Sequence, residues 1–202
     1  MKTSSTRSAA GFTLVELLVT ITIMMVLAGL IVGGTAYVRD RQARATANLQ
    51  IALLERGIDE YRLDMGAYPG TGGENDFGGN ATSVAGLNSQ VLYRALFFEG
   101  WQALQNNEDT TGTQASTIYV AELDPTNNRQ GWTDPTTANN PPADTVIRDP
   151  WGYPYRYRVG NSAMNPDFDL WSSGKDGKTQ PGTATSPYNP NHEDNLDDIG
   201  NF

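Results

Sequence analysis

The side chains able to do chemistry gather at the two ends of the sequence. Positions 164–202 carry seven acids (Asp167, Asp169, Asp176, Glu193, Asp194, Asp197 and Asp198) against Lys175 and Lys178, a local charge of about −5. Clustered carboxylates suit a hard cation, and calcium takes about 6–8 oxygen ligands. The spacing is not that of a helix–loop–helix calcium motif. By composition alone a solvated acidic surface explains the charge better than a metal does. Asp197 and Asp198 could in principle share acid–base work, but adjacent loop residues without a facing carboxylate make a poor catalytic pair. At the other end a single acid, Glu16, stands before Leu17–Val38, 22 residues without a charge.

Composition removes several classes of function. The chain has 202 residues, a net charge of −9, no cysteine and one histidine, His192. Disulfides, cysteine nucleophiles and thiolate metal sites are excluded, and little material is left for a His-based zinc site or a Ser-His-Asp triad. The negative charge argues against nucleic acid as a general partner. The glycine-rich segments match neither a phosphate loop nor a dinucleotide fingerprint. No nucleophile–base pair emerges, so the sequence predicts a protein that is not an enzyme.

The uncharged run is about as long as the ~20 residues a helix needs to cross a bilayer. A secretory signal would have a shorter apolar region followed by a small-residue cleavage site. Here the glycine, Gly11, precedes the run, so the run is read as retained. Lys2 and Arg7 lie before it with no acid among the first fifteen residues. That places the N-terminus in the cytoplasm and the bulk of the chain outside, although Arg39, Arg41 and Arg44 beyond the run oppose this. A carboxylate costs about 2.5–3.5 kcal/mol at the bilayer centre and less near the interface. Glu16 therefore either caps the positive end of the helix at headgroup level or meets a cation. That cation is a free amine on Phe12, were the chain cut after Gly11, or the amine of a neighbouring subunit.

The elements that position these ends follow in order. Ala47, Ile51, Leu54, Ile58, Tyr61 and Met65 recur at spacings of four and three, a narrow apolar stripe that continues the helix. Gly66 stops it, with Pro69 just beyond. A helix from Phe12 to Met65 would be roughly 80 Å long at ~1.5 Å per residue. The segment "SQVLYRALFFEGWQALQNN" predicts one or two short helices with Val91, Leu92, Ala95, Leu96 and Phe98 inward. Thr117–Leu123 reads as a strand or extended edge, and Trp101 and Trp132 as core plugs. "VIRDPWGYPYRYRV" gives two strand-like pieces around a turn, with Tyr153, Tyr155 and Tyr157 on one face. "DFDLWSSGKDG" adds another strand and a turn. The expected fold is α+β, a long N-terminal helix packed on a small antiparallel sheet.

Three stretches carry a family resemblance. "GFTLVELLV" after a short basic leader resembles the type III signal of type IV pilins and type II secretion pseudopilins. "EYRLDMGAYP" is similar to the end of the long helix in major pseudopilins. "DPWGYPYRY", "FDLWSSGKDG" and "DDIGNF" resemble the C-terminal signature of the type II secretion major pseudopilin. The resemblance covers about the first 70 and last 55 residues, leaving the middle (70–148) as an insert. It implies cleavage by prepilin peptidase between Gly11 and Phe12, N-methylation of Phe12, and pairing of Glu16 with the Phe12 amine of an adjacent subunit. It also implies one structural calcium ion (Ca2+). Carried over by position, Asp176, Asp197 and Asp198 supply carboxylates and a backbone oxygen near Ser173 completes the shell. The long stretch between Asp176 and Asp197 puts Asp194 in contention. Gly33 and Gly34 stand where many relatives have a proline.

The implied organisation is a cleaved leader over 1–11, a membrane-spanning half-helix over 12–38, an amphipathic periplasmic half over 39–66, and an α+β head over 67–202. The implied function is a subunit of a periplasmic pseudopilus, single-pass in the bacterial inner membrane. Its partners are copies of itself, prepilin peptidase, minor pseudopilins and the inner-membrane assembly platform. A type IV pilin for adhesion, motility or DNA uptake is the alternative, and the absent cysteines weigh against it.

Overall fold

The computed structural model of the protein describes residues 12–70, 88–106, 117–127, 131–134, 141–160, 163–180, 182 and 188–201, with side chains omitted over 31–36. Two units, Met1–Arg41 and Gln42–Phe202, are distinguishable. One helix, α1, runs through both, Leu14–Met65. Its start is set by local chemistry. The Thr13 hydroxyl accepts from the Glu16 amide at 3.2 Å, and the Glu16 carboxylate accepts from the Thr13 amide at 3.2 Å. This reciprocal capping box satisfies two donors that the first turn would otherwise leave open. The end falls at the expected glycine. Gly66 has φ 74°, and its amide donates to the Arg62 carbonyl at 2.8 Å. Only a residue without Cβ adopts that conformation cheaply.

In the first unit the apolar side chains of the helix are exposed, Leu14 at 82%, Met25 at 70% and Leu30 at 69%. A continuous apolar surface of this kind calls for an apolar surrounding that the described residues do not supply. Among the described residues no helix is long and apolar enough to cross a membrane. Residues 31–36, inside the uncharged run, lie outside the described side chains, and the leader with Gly11 lies outside the described residues.

The second unit is organised on the apolar stripe of α1. Ala47, Ile51, Leu54 and Ile58 are buried, while Tyr61 and Met65 are half-buried. Burying a side chain such as Leu54 contributes about 1.5–3 kcal/mol. Gly57 lies on the same side, and a Cβ there would run into the Val120 side chain, so the stripe needs glycine for this close approach. Against the stripe packs a three-stranded antiparallel sheet, ordered β1 (Arg156–Val159), β2 (Phe168–Ser172), β3 (Ile199–Gly200). The register pairs Tyr157 with Leu170 and Arg158 with Asp169, and on the other side Trp171 with Gly200. Both faces of β1 and β2 are buried. Tyr155 and Tyr157 point to the helix side as expected. The Tyr155 hydroxyl reaches Gln50 on α1 at 2.6 Å, and the Tyr157 hydroxyl donates to the Pro69 carbonyl at 3.1 Å. Tyr153 departs from that row: it sits 37% exposed in the turn and its ring lies against Gly177.

The helical segment over 88–106 passes through a π-helical stretch, Arg94–Phe98, into α2 (Glu99–Asn106). The wider turn changes the phase of the helix. Leu92, Tyr93, Ala95, Leu96 and Phe97 are buried, whereas Val91 and Phe98, expected inside, are half-buried. Residues 117–120 form no ladder. The Tyr119 and Val120 amides both donate to the Leu96 carbonyl, at 2.9 and 3.1 Å, and a 3-10 turn, Ala121–Leu123, follows. Trp132 is buried and Trp101 packs at the edge of the same core, in the plug roles expected for them.

Candidate functional site

The acidic C-terminal loop is held by the sheet. β2 leads into a turn over 173–178, and the chain returns through 188–198 into β3. Gly174 has φ 62°, and a Cβ there would fall 2.6 Å from Asp197 Oδ2, so the turn lies directly against Asp197. The Asp176 amide donates to that same Oδ2 at 3.0 Å, and Asp176 Oδ1 accepts from the Lys178 amide at 2.8 Å. A second clasp lies beside the first. The Gln180 amide donates to Asn195 Oδ1 at 2.6 Å, and Asn195 Nδ2 donates back to the Gln180 carbonyl at 3.0 Å. Asn195 is buried. Asp198 Oδ2 accepts from the Thr179 hydroxyl at 2.6 Å and the Tyr188 hydroxyl at 3.3 Å. Burial pushes the Asp198 carboxyl up to about 7, and those two hydroxyls pull it back only in part. Its other oxygen, Oδ1, is buried without a hydrogen-bond partner.

These residues suit a hard cation. Of the residues the resemblance implied, the Asp176 amide and Gly174 lie against Asp197, Asp198 follows Asp197 in the chain, and Ser173 is fully buried. A buried carboxylate oxygen left without a donor costs free energy that a cation would relieve. An all-oxygen donor set is the kind calcium takes, a preference it shares with magnesium and manganese. Among the described residues no three acidic or histidine side chains converge closely enough to hold a metal by themselves. Asp194 is otherwise engaged: it accepts from the Gln180 amide side chain at 3.2 Å, and its own amide donates to His192 Nδ1 at 3.2 Å. Beside the loop a cavity of about 420 Å³ is lined by Arg44, Asn48, Tyr188, Asn195, Asp198 and Ile199.

Two of the seven acids serve the fold. Asp167 meets Arg62 at 3.4 Å near the end of α1. Asp169 is fully buried, its carboxylate accepting from Arg158 at 2.6 and 3.0 Å and from the Met164 and Asn165 amides at 2.8 and 2.9 Å. Arg158 also donates to the Gly182 carbonyl and lies over the Trp171 ring. At the other end, Phe12 is 80% exposed and Glu16 closes its own capping box, the local role that the sequence left open for it. The Thr13-x-x-Glu16 pattern was the signal for that role. Nothing in the linear sequence pointed to Thr179 or Tyr188 as partners of Asp198.

A long N-terminal helix, capped before an exposed apolar stretch and carrying an antiparallel sheet on its second part, defines a pilin-like α+β protein. Residues 6–32 match the family model described as prokaryotic N-terminal methylation motif, and residues 113–187 match that of type II secretion system protein G. A type II secretion system core protein G from Pseudomonas aeruginosa is 27% identical over 198 residues, covering 97% of this chain and 96% of that protein. Another from Klebsiella michiganensis is 28% identical over 181 residues, covering 88% and 89%. A third, from Pectobacterium carotovorum, is 41% identical over 61 residues, covering 30% and 39%. The chain is thus similar to the type II secretion pseudopilin family, protein G, over most of its length. The family is one of structural subunits, and the methylation motif marks a membrane-anchored component.

Proposed function

We propose that this chain is the repeating subunit of a pseudopilus, a helical filament of many copies that serves protein secretion and works by assembly, not catalysis. The observation that carries this reading is the methylation motif opening a helix whose apolar side chains from Leu14 to Leu30 are exposed. Prepilin peptidase cuts between Gly11 and Phe12 at the cytoplasmic face and methylates the new Phe12 amine. Leu17–Val38 stays in the inner membrane as the anchor, with the head in the periplasm. On assembly, aided by minor pseudopilins and the inner-membrane platform, the same apolar surface exchanges lipid for the helices of other copies. A carboxylate carried into that surrounding needs a counter-charge. The Phe12 amine of the adjacent copy supplies it, so Glu16 sets the axial register.

The head carries one structural calcium held by Asp176, Asp197, Asp198 and the Ser173 carbonyl. When bound, it would offset the carboxylates' mutual repulsion and tie the turn after β2 to the segment before β3.

Glu16→Ala tests the assembly role. Membrane insertion and processing should remain, while filament yield should fall by roughly tenfold or more, since removing one member of a buried pair costs about 3–5 kcal/mol. Filaments at the wild-type level would overturn the register role.

A further inference from the structure

We infer that Thr179 is a positioning residue for the calcium loop, holding Asp198 so that one carboxylate oxygen faces the cation while the other is tied back to the sheet. This rests on the calcium reading above and deepens it. The chain of contacts begins in the rigid part of the head. Trp171, on the central strand β2, is buried and paired in register with Arg156 on one side and Gly200 on the other. Its indole Nε1 donates to the Thr179 hydroxyl at 3.2 Å, and that hydroxyl donates to Asp198 Oδ2 at 2.6 Å.

The donor inventory fixes the direction. An indole N–H can only donate, so the Thr179 oxygen accepts from it and the hydroxyl proton is left to give. It goes to Asp198 Oδ2, where the Tyr188 hydroxyl arrives as well at 3.3 Å. Two donors thus meet one carboxylate oxygen, while Oδ1 stays buried with no partner. An anchored donor behind a ligating carboxylate sets its orientation, and losing such a partner typically lowers metal affinity about 10–100-fold. Thr179 is itself only 5% exposed. Tyr188 comes from the long stretch between Asp176 and Asp197, which gives that stretch a part in the site.

The test is calorimetric titration of the full processed chain in detergent with calcium alone, for wild type, Thr179→Val, Thr179→Ser and Tyr188→Phe. Thr179→Val should raise the calcium Kd about 10–100-fold, and Thr179→Ser, which keeps the hydroxyl, should stay within about threefold of wild type. Tyr188→Phe, the reserve variant should Thr179→Val fail to fold, should weaken binding about 3–10-fold. A structural role alone would lower the chelated Tm of Thr179→Val and leave its Kd unchanged. Wild-type Kd in Thr179→Val, or in Tyr188→Phe where the valine variant does not fold, would overturn the inference with the calcium reading intact. A wild-type chain that takes up no calcium would instead overturn the calcium reading, and this inference with it.

Discussion

Replacing Asp169 by asparagine is expected to destabilise the head by about 3–5 kcal/mol, because it leaves the Arg158 guanidinium buried without its counter-charge. The pair sits directly across β1 and β2, with side chains 7% and 0% exposed, so solvent cannot take over the lost interaction. Asparagine keeps the shape of the side chain but removes the charge on which two guanidinium contacts converge. For a domain of this size the Tm should fall by roughly 6–20 °C. Removing both charges should do far less harm. Asp169→Leu with Arg158→Met replaces the pair by apolar side chains of similar volume, and such exchanges are often neutral. The bond from Arg158 to the Gly182 carbonyl goes with it, as does the acceptor of the Met164 and Asn165 amides, so part of the loss remains. Thermal melts of the single and double variants check this. A fall of less than about 2 °C for Asp169→Asn would contradict the assigned role.

The second large effect concerns the metal. The proposed calcium site predicts that chelation lowers the stability of the mature chain by about 2.7–4.1 kcal/mol when calcium stands at about 100–1,000 times its Kd. That corresponds to a Tm lower by roughly 5–15 °C. Melts in detergent with calcium and with chelator measure it directly. Asp197→Asn should abolish the difference between the two conditions, since it removes the carboxylate lying against both Gly174 and the Asp176 amide. Equal melting of the wild-type chain in calcium and in chelator would remove the metal from the account.

What could be read from the sequence was encoded by near neighbours. Gly66 as a helix stop, the stripe from Ala47 to Ile58 and the row of Tyr155 and Tyr157 depend on spacings of one to four residues, and the structure reproduces them. The acids were harder, because their roles depend on register and on loop closure. Asp169 counted as one charge of an acidic tail. Only the pairing of β1 with β2 places it opposite Arg158, eleven positions away. The alternation in "YRYRV" did hold a hint, since putting the tyrosines on the helix side forces Arg156 and Arg158 to the opposite face. The inward turn of Tyr93 and Phe97 rests on a π-helical stretch for which apolar periodicity offers no warning. Likewise the extended Tyr119–Val120 segment bonds to a helix carbonyl and not to a strand, a choice made by tertiary packing over local propensity.

Glu16 shows how one residue can serve two levels of structure. Within the single chain it closes the capping box with Thr13 and fixes where α1 begins. In the proposed filament the same carboxylate faces an amine that exists only after the leader is removed. Its role there therefore depends on one covalent event at the Gly11–Phe12 bond. Mass spectrometry of the N-terminal peptide of the membrane-extracted protein measures that event. The expected chain begins at N-methylated Phe12; an intact leader starting at Met1, or a cut near Ala36 that discards the apolar helix, would refute the filament role.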